Sequence, residues 1–225
     1  MRYNIFYRIH KALRALMYET ALEMQQTDFN NSEEAASVLS KIAGIVDLFD
    51  KHAHHEDTKV FAALEQYEPS VVDVFEQEHV IDHELTEKLR ALINMYDSLQ
   101  TDKEKIQYGS AMRRSFTEFL VFNLQHMAKE EEIINNLLWR HYRDEDIIAI
   151  EKNIVDSQEP QDLAFVSGWM MKSQSNQEIV SWLKEVEKNA PEFVFNGLFS
   201  VAEKELPNQR FRRVVEGLTE GVMLA

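Results

Sequence analysis

The chain has 225 residues, a formal net charge of −15 and no cysteine. That length suits one domain, or one domain with an appendage, and is enough to bury a proper core. The acidic balance excludes a nucleic-acid binder and argues against a membrane-surface role, since both need a basic footprint, while the absence of thiols excludes disulfides, iron–sulfur clusters and thiolate zinc sites.

Only six Gly and four Pro interrupt the sequence, which favours long helices. The opening residues, Met1 to Arg8, are broken by charge and form no apolar h-region, and no run is long enough to span a bilayer, so a cytoplasmic location is expected. A first helix is predicted over about 3–25, with Tyr3, Phe6, His10, Leu13, Met17, Ala21 and Met24 spaced three and four apart along one side. A polar loop, Thr27 to Ser32, ends in N-cap residues and leads into a second helix over about 33–66. Its stripe is Val38, Ile42, Ile45, Phe49, His52, Glu56, Val60 and Ala63. Pro69 opens a third helix, to about residue 98, with Phe75, His79, His83, Thr86, Leu89, Ile93 and Tyr96 on one side. Thr101 and Glu104 read as a capping box for a fourth, reaching about residue 142, whose stripe is Met112, Phe116, Phe119, Asn123, His126, Glu130, Ile133 and Leu137.

Short connections between four such helices predict an all-α fold, an up-down-up-down four-helix bundle over residues 1–142, with residues 143–225 as a C-terminal helical extension of unknown role. The extension carries no His. About four shorter helices are expected there, punctuated by Pro160, Pro191 and Pro207, with a capping box at Ser175–Glu178 and an amphipathic stripe of Phe211, Val214, Val215, Leu218 and Val222. Those apolar faces suit packing on the bundle, a homodimer contact or a protein partner.

His52 and Glu56, His79 and His83, and His126 and Glu130 are three pairs at i, i+4, so each pair shares one face of its helix. Together with His10 they lie about ten residues from helix ends that an antiparallel bundle gathers at one pole, or ~15 Å at 1.5 Å per residue. A single His on an apolar face is usually a hydrogen-bonded core residue. Burying five imidazoles and two carboxylates at one level without a metal, however, is costly. The set suits a two-metal site, and imidazole mixed with carboxylate favours iron, manganese or zinc over calcium or magnesium. His54 is assigned to the surface, His55, three residues from His52, to the surface or to a partner of the ligands, and His141 to capping a helix C-terminus. Asn123 is either a buried amide bonded to a neighbouring helix or a partner of the ligands.

In these residues the chain resembles the hemerythrin-like family, the HHE cation-binding domains, over about residues 1–142. The resemblance implies two non-haem irons in the bundle core, usually with a solvent-derived bridging oxygen; manganese or zinc are the other candidates. By position, His79, His83 and His126 would hold one iron and His10 and His52 the other, with Glu56 and Glu130 bridging. Counting donors then leaves the open position on the His10 and His52 iron, beside Phe6, Leu13 and Phe49. Oxygen carriers of the family commonly have Asp five residues after the last His, whereas Glu130 follows His126 by four, as in the bacterial and regulatory members. The iron–sulfur repair members carry a Cys-containing N-terminal segment, and this chain has no Cys. The expected function is a di-iron module that binds or senses O2, NO or a related small oxidant. The alternatives are a di-iron oxidative enzyme, either a peroxidase or an NO-handling protein, and an iron-storage or iron-sensing protein. Oxidative di-iron carboxylate enzymes generally use more carboxylates and fewer imidazoles, so binding or sensing is favoured over catalysis.

Overall fold

The computed structural model describes residues 2–219. Helix α1 (Tyr7–Gln26) ends at Thr27, where the backbone turns extended. Asn31 then starts α2 (Ser32–His55) by accepting the backbone N–H of Glu33 and Glu34 on its side chain. A π-helical turn (Glu56–Phe61) and a short α3 (Ala62–Leu64) prolong α2 without a break. Pro69, placed where its missing N–H is not needed, opens α4 (Pro69–Met95). The reciprocal capping box of Thr101 and Glu104 opens α5 (Asp102–Lys129). A second π turn (Glu130–Ile134) carries α5 into α6 (Asn135–His141). The described residues contain no strand.

Cross-helix pairs set the directions of these helices. Lys41 of α2 reaches Glu19 and Glu23 of α1 at 2.7 and 2.8 Å. Arg90 of α4 reaches Asp47 of α2 at 2.7 Å, and Lys88 of α4 reaches Glu118 of α5 at 2.5 Å. Further along, Asp57 meets His79 and Glu78 meets Lys129, so numbers rise on one helix as they fall on its partner, which is the up-down-up-down order expected from the short connections. Between the helices lie Ile42, Ile45, Phe49, Leu89, Phe116 and Phe119, all fully buried. Burial of side chains of this size contributes about 1.5–3 kcal/mol each.

In three places the inward faces depart from the sequence reading, two of them at the π turns. A π turn accommodates an extra residue, so the stripe slips by one position beyond each of them. After Glu130 the buried residues are Ile134, Leu137 and Leu138, and the expected Ile133 is exposed. After Glu56 they are Val60, Phe61 and Leu64 rather than Ala63. In α4 no such turn occurs; the buried positions run Val72, Phe75, His79, Asp82, Thr86 and Leu89. The step after His79 is three residues rather than four, so Asp82 faces inward in the place expected of His83.

The chain divides into two compact units. The first comprises Leu16–Asp156 and the residues before Tyr7. It includes α7 (Asp144–Asp156), whose Ile147 is buried in one cluster with Phe6, Phe61, Leu64, Phe75, Ile134 and Leu138. Arg2 fastens the same region: it donates to Asp144 at 2.5 Å and to the carbonyls of Trp139 and Tyr142 at 2.9 and 2.7 Å. This contact boundary lies at Asp156 because the Ile147, Ile150 and Ile154 face of α7 completes the cluster. A chain ended after Tyr142 is therefore expected to melt below one ended after Asp156, by at least the about 1.5–3 kcal/mol that one buried Ile contributes; urea titration of the two truncates measures it.

The second unit comprises Tyr7–Ala15 and the residues after Asp156. It contains α8 (Pro160–Ser173), α9 (Asn176–Asn189), α10 (Glu192–Glu205) and α11 (Asn208–Thr219). Its core is Met171, Ile179, Leu183, Ala202, Leu206 and Val214, flanked by Phe199, Phe211 and Leu218. Val222 of the expected stripe lies outside the described residues. The capping box of Ser175 and Glu178 opens α9 as the sequence indicates. Glu178 also accepts Lys11 Nζ at 2.7 and 2.9 Å and the Tyr7 hydroxyl. Burial disfavours its carboxylate, but the bonds from Lys11, Tyr7 and Ser175 outweigh that and hold the carboxyl at about 2. A depressed carboxyl stabilises above its ordinary pKa of 4.5, and the contribution is lost as the pH falls towards 2. Glu178→Gln is thus expected to melt below wild type at neutral pH and to converge with it in acid; melting curves across that range are the check. No described helix is long and apolar enough to cross a membrane.

Candidate metal centre

Both π turns begin at a carboxylate, Glu56 in one and Glu130 in the other. The two side chains are buried, with relative exposures of 3 % and 0 %. Each has a His one turn earlier on its own helix. His52 Nε2 lies 3.1 Å from Glu56 Oε1, and His126 Nε2 lies 3.3 Å from Glu130 Oε1. His79 joins them from α4, with its Nε2 3.5 Å from Glu56 Oε2 and 4.0 Å from Glu130 Oε1. Glu56, His79, His126 and Glu130 thus form one set whose ligand atoms all lie within 4.8 Å of one another. His10, Glu130, His52 and Glu56 meet the same 4.8 Å condition as a second set. His10 is fully buried and sits on α1, which runs unbroken from Tyr7 to Gln26.

These groups suit metal ions on their chemistry and on their geometry. The buried Nε2 atoms of His79 and His126 face the carboxylate oxygens of Glu56 and Glu130 at 3.3 to 4.0 Å. Imidazole nitrogens and carboxylate oxygens converging at such distances are arranged to share a cation. Electrostatics agree. Burial opposes charge on His79, but the hydrogen bonds and negative charge of Asp57 and Glu56 prevail and push the ring up to about 10. His126 is pushed to about 9 in the same way, by Glu130 and Glu78 against burial. Protonated rings balance the buried carboxylates, and a bound metal would take the place of those protons.

Of the seven expected ligands, the structure brings together His10, His52, Glu56, His79, His126 and Glu130. It does not bring in His83, whose side chain is 63 % exposed, with Nδ1 3.6 Å from Asp50. The reason is the inward turn of Asp82, which is 4 % exposed and accepts Asn123 Nδ2 at 2.6 Å. That bond also decides between the two readings of Asn123: it is a buried amide bonded to a neighbouring helix. Burial pushes the Asp82 carboxyl up. With His83 outside, each set holds two imidazoles, and donor counting no longer singles out the His10 and His52 side as the more open. Phe6, Leu13 and Phe49 are buried as expected. Phe49 meets His52 edge-on with centroids 6.4 Å apart, while Phe61 is stacked on His79 at 5.3 Å and Phe122 on His126 at 5.9 Å. His54 is exposed, and His141 lies in the last turn of α6, stacked on Tyr67 at 4.2 Å.

Sequence reasoning missed two further carboxylates. Asp57 Oδ1 is 2.6 Å from His79 Nδ1, and Glu78 Oε2 is 2.8 Å from His126 Nδ1. Their only signal in the sequence is adjacency, Asp57 to Glu56 and Glu78 to His79.

Residues 1–138 match the Hemerythrin HHE cation binding domain. The chain belongs to that family. A hemerythrin HHE domain implies metal-ion binding, and the buried histidine–carboxylate sets are the groups here that could hold the ions. The chain is also similar to F-box/LRR-repeat protein 5 of Salmo salar, 23 % identical over 152 residues, which are 68 % of this chain and 21 % of that protein. The proteins of that name from Mus musculus and Danio rerio are each 20 % identical over 152 residues, again 68 % of this chain, and 21 % and 22 % of theirs. The matching stretch thus spans about a fifth of the length of these curated relatives. No solved structure matches the chain.

Proposed function

We propose that this HHE domain is a non-haem di-iron protein that binds or senses O2, NO or a related small oxidant, working in the cytoplasm. The observation that carries the reading is the sharing of Glu56 and Glu130 by two sets that each contain two imidazoles. Two carboxylates common to both sets suit a pair of ions, and imidazole with carboxylate favours iron, with manganese or zinc next. Iron supplies the redox-active centre to which a small oxidant can bind. The protein's own contribution is to fix the imidazoles on α1, α2, α4 and α5 and to exclude bulk water. Phe61 and Phe122, lying on two of the rings, do the latter. Four imidazoles to two carboxylates is a His-rich set, which favours binding over oxidative turnover.

Metal sensing coupled to a protein partner is a second reading. In the F-box/LRR-repeat protein 5 of Salmo salar the similar stretch is only 21 % of a longer protein. A metal-dependent domain of that proportion is suited to report its state to a protein partner. The test is anaerobic reduction of the iron-loaded chain followed by O2 titration. Reversible spectral cycling is expected for binding, and sustained turnover would mean an enzyme. Protease digestion that speeds sharply on chelation, with no O2 or NO spectrum, would mean metal sensing.

A further inference from the structure

We propose that Asp57 and Glu78 are positioning residues of the metal centre, holding His79 and His126 with their Nε2 lone pairs turned towards Glu56 and Glu130. The proposal rests on the two-metal reading above. An ionised carboxylate can only accept a hydrogen bond. At 2.6 Å from Asp57 and 2.8 Å from Glu78, the Nδ1 atoms of His79 and His126 are therefore the protonated ones. In a neutral imidazole that leaves Nε2 bare, and in both rings Nε2 is the atom turned to the buried carboxylates. This is the tautomer a metal ligand needs, and the hydrogen bond at the other nitrogen fixes it.

The arrangement depends on local structure at each carboxylate. Glu56 and Asp57 are consecutive, and on a regular α-helix consecutive residues do not share a face. Here both lie in the π turn that begins at Glu56, and both reach His79 across on α4. Glu78 is itself held: Lys129 Nζ donates to its Oε1 at 2.5 Å while its Oε2 faces His126. The chain Lys129, Glu78, His126 therefore ties α4 to α5 beside the centre. Ordinary surface ion pairs would lack this directionality, since their contribution does not depend on which ring nitrogen carries the proton.

The test uses the full-length chain, stripped with chelator and titrated with Zn(II) against a chromophoric competitor, so that no redox chemistry intervenes. Wild type is expected to take up two zinc ions. Asp57→Ala and Glu78→Ala should each weaken one of the two by about 10–100-fold and leave the other unchanged. Asp57→Asn and Glu78→Gln keep an acceptor and should recover part of the loss. Where an alanine variant melts well below wild type, the amide variant is read in its place. An independent readout is the imidazole nitrogen NMR spectrum at saturating zinc, where the metal takes the place of the Nε2 proton: the Nδ1–H signature of His79 should fade in Asp57→Ala, and that of His126 in Glu78→Ala. A wild type with two zinc ions and variants that match it in affinity and tautomer would overturn the positioning role alone. So would variants that lose both ions equally. A wild type that holds fewer than two zinc ions would overturn the two-metal reading and the positioning role with it.

Discussion

Glu130→Ala is expected to cost the protein both metal ions rather than one. Glu130 belongs to both ligand sets, is fully buried, and lies 3.3 Å from His126. Its removal takes a donor and a negative charge from each ion at once. The loss should exceed the about 10–100-fold that an outer hydrogen-bond partner costs. Without metal, the same change should lower the melting temperature, because it leaves the protonated His126 ring buried without the carboxylate that balances it. The two effects separate in melting curves run with and without metal. Wild type should gain about 2.7 kcal/mol for each ion bound at a free-metal concentration 100 times its dissociation constant, and the variant should gain almost nothing. Retention of one ion at wild-type affinity would show that Glu130 does not serve both sets.

The second large effect is a contrast between neighbours on α4. His79→Ala should lose one ion, because its Nε2 faces Glu56 and Glu130 from a buried position. His83→Ala should keep both, because its side chain is 63 % exposed and turned to Asp50. The resemblance to the hemerythrin-like family implies the opposite for His83, so the pair of variants discriminates sharply. Metal analysis of the two purified variants settles it. Loss of an ion from His83→Ala would mean that α4 is rotated in the loaded protein so that His83, not Asp82, faces inward.

Most of the fold could be read from the sequence because its signals are local. Asn31, Pro69 and the Thr101 capping box act within a turn of their own residues, and each starts a helix where the sequence indicates. The apolar stripes are local as well, until they reach Glu56 and Glu130. There a π turn shifts the register by one, and nothing in a single stripe distinguishes Ile133 from Ile134 as the next inward residue. His83 was obscured by a related ambiguity. Residues three and four beyond His79 are both its neighbours on the helix surface, and residue type favoured the imidazole. The choice is made across the interface, where Asn123 offers Asp82 an amide donor at 2.6 Å. Asp57 and Glu78 escaped for the same reason: their partners sit on other helices, at a register that is set only once the bundle has packed.

The most direct test of the two-metal centre is elemental analysis of the full-length chain after anaerobic loading with Fe(II) and removal of unbound metal. Two buried sets sharing Glu56 and Glu130 predict two irons per chain. One iron per chain, or none, from a folded and fully loaded preparation would contradict the account.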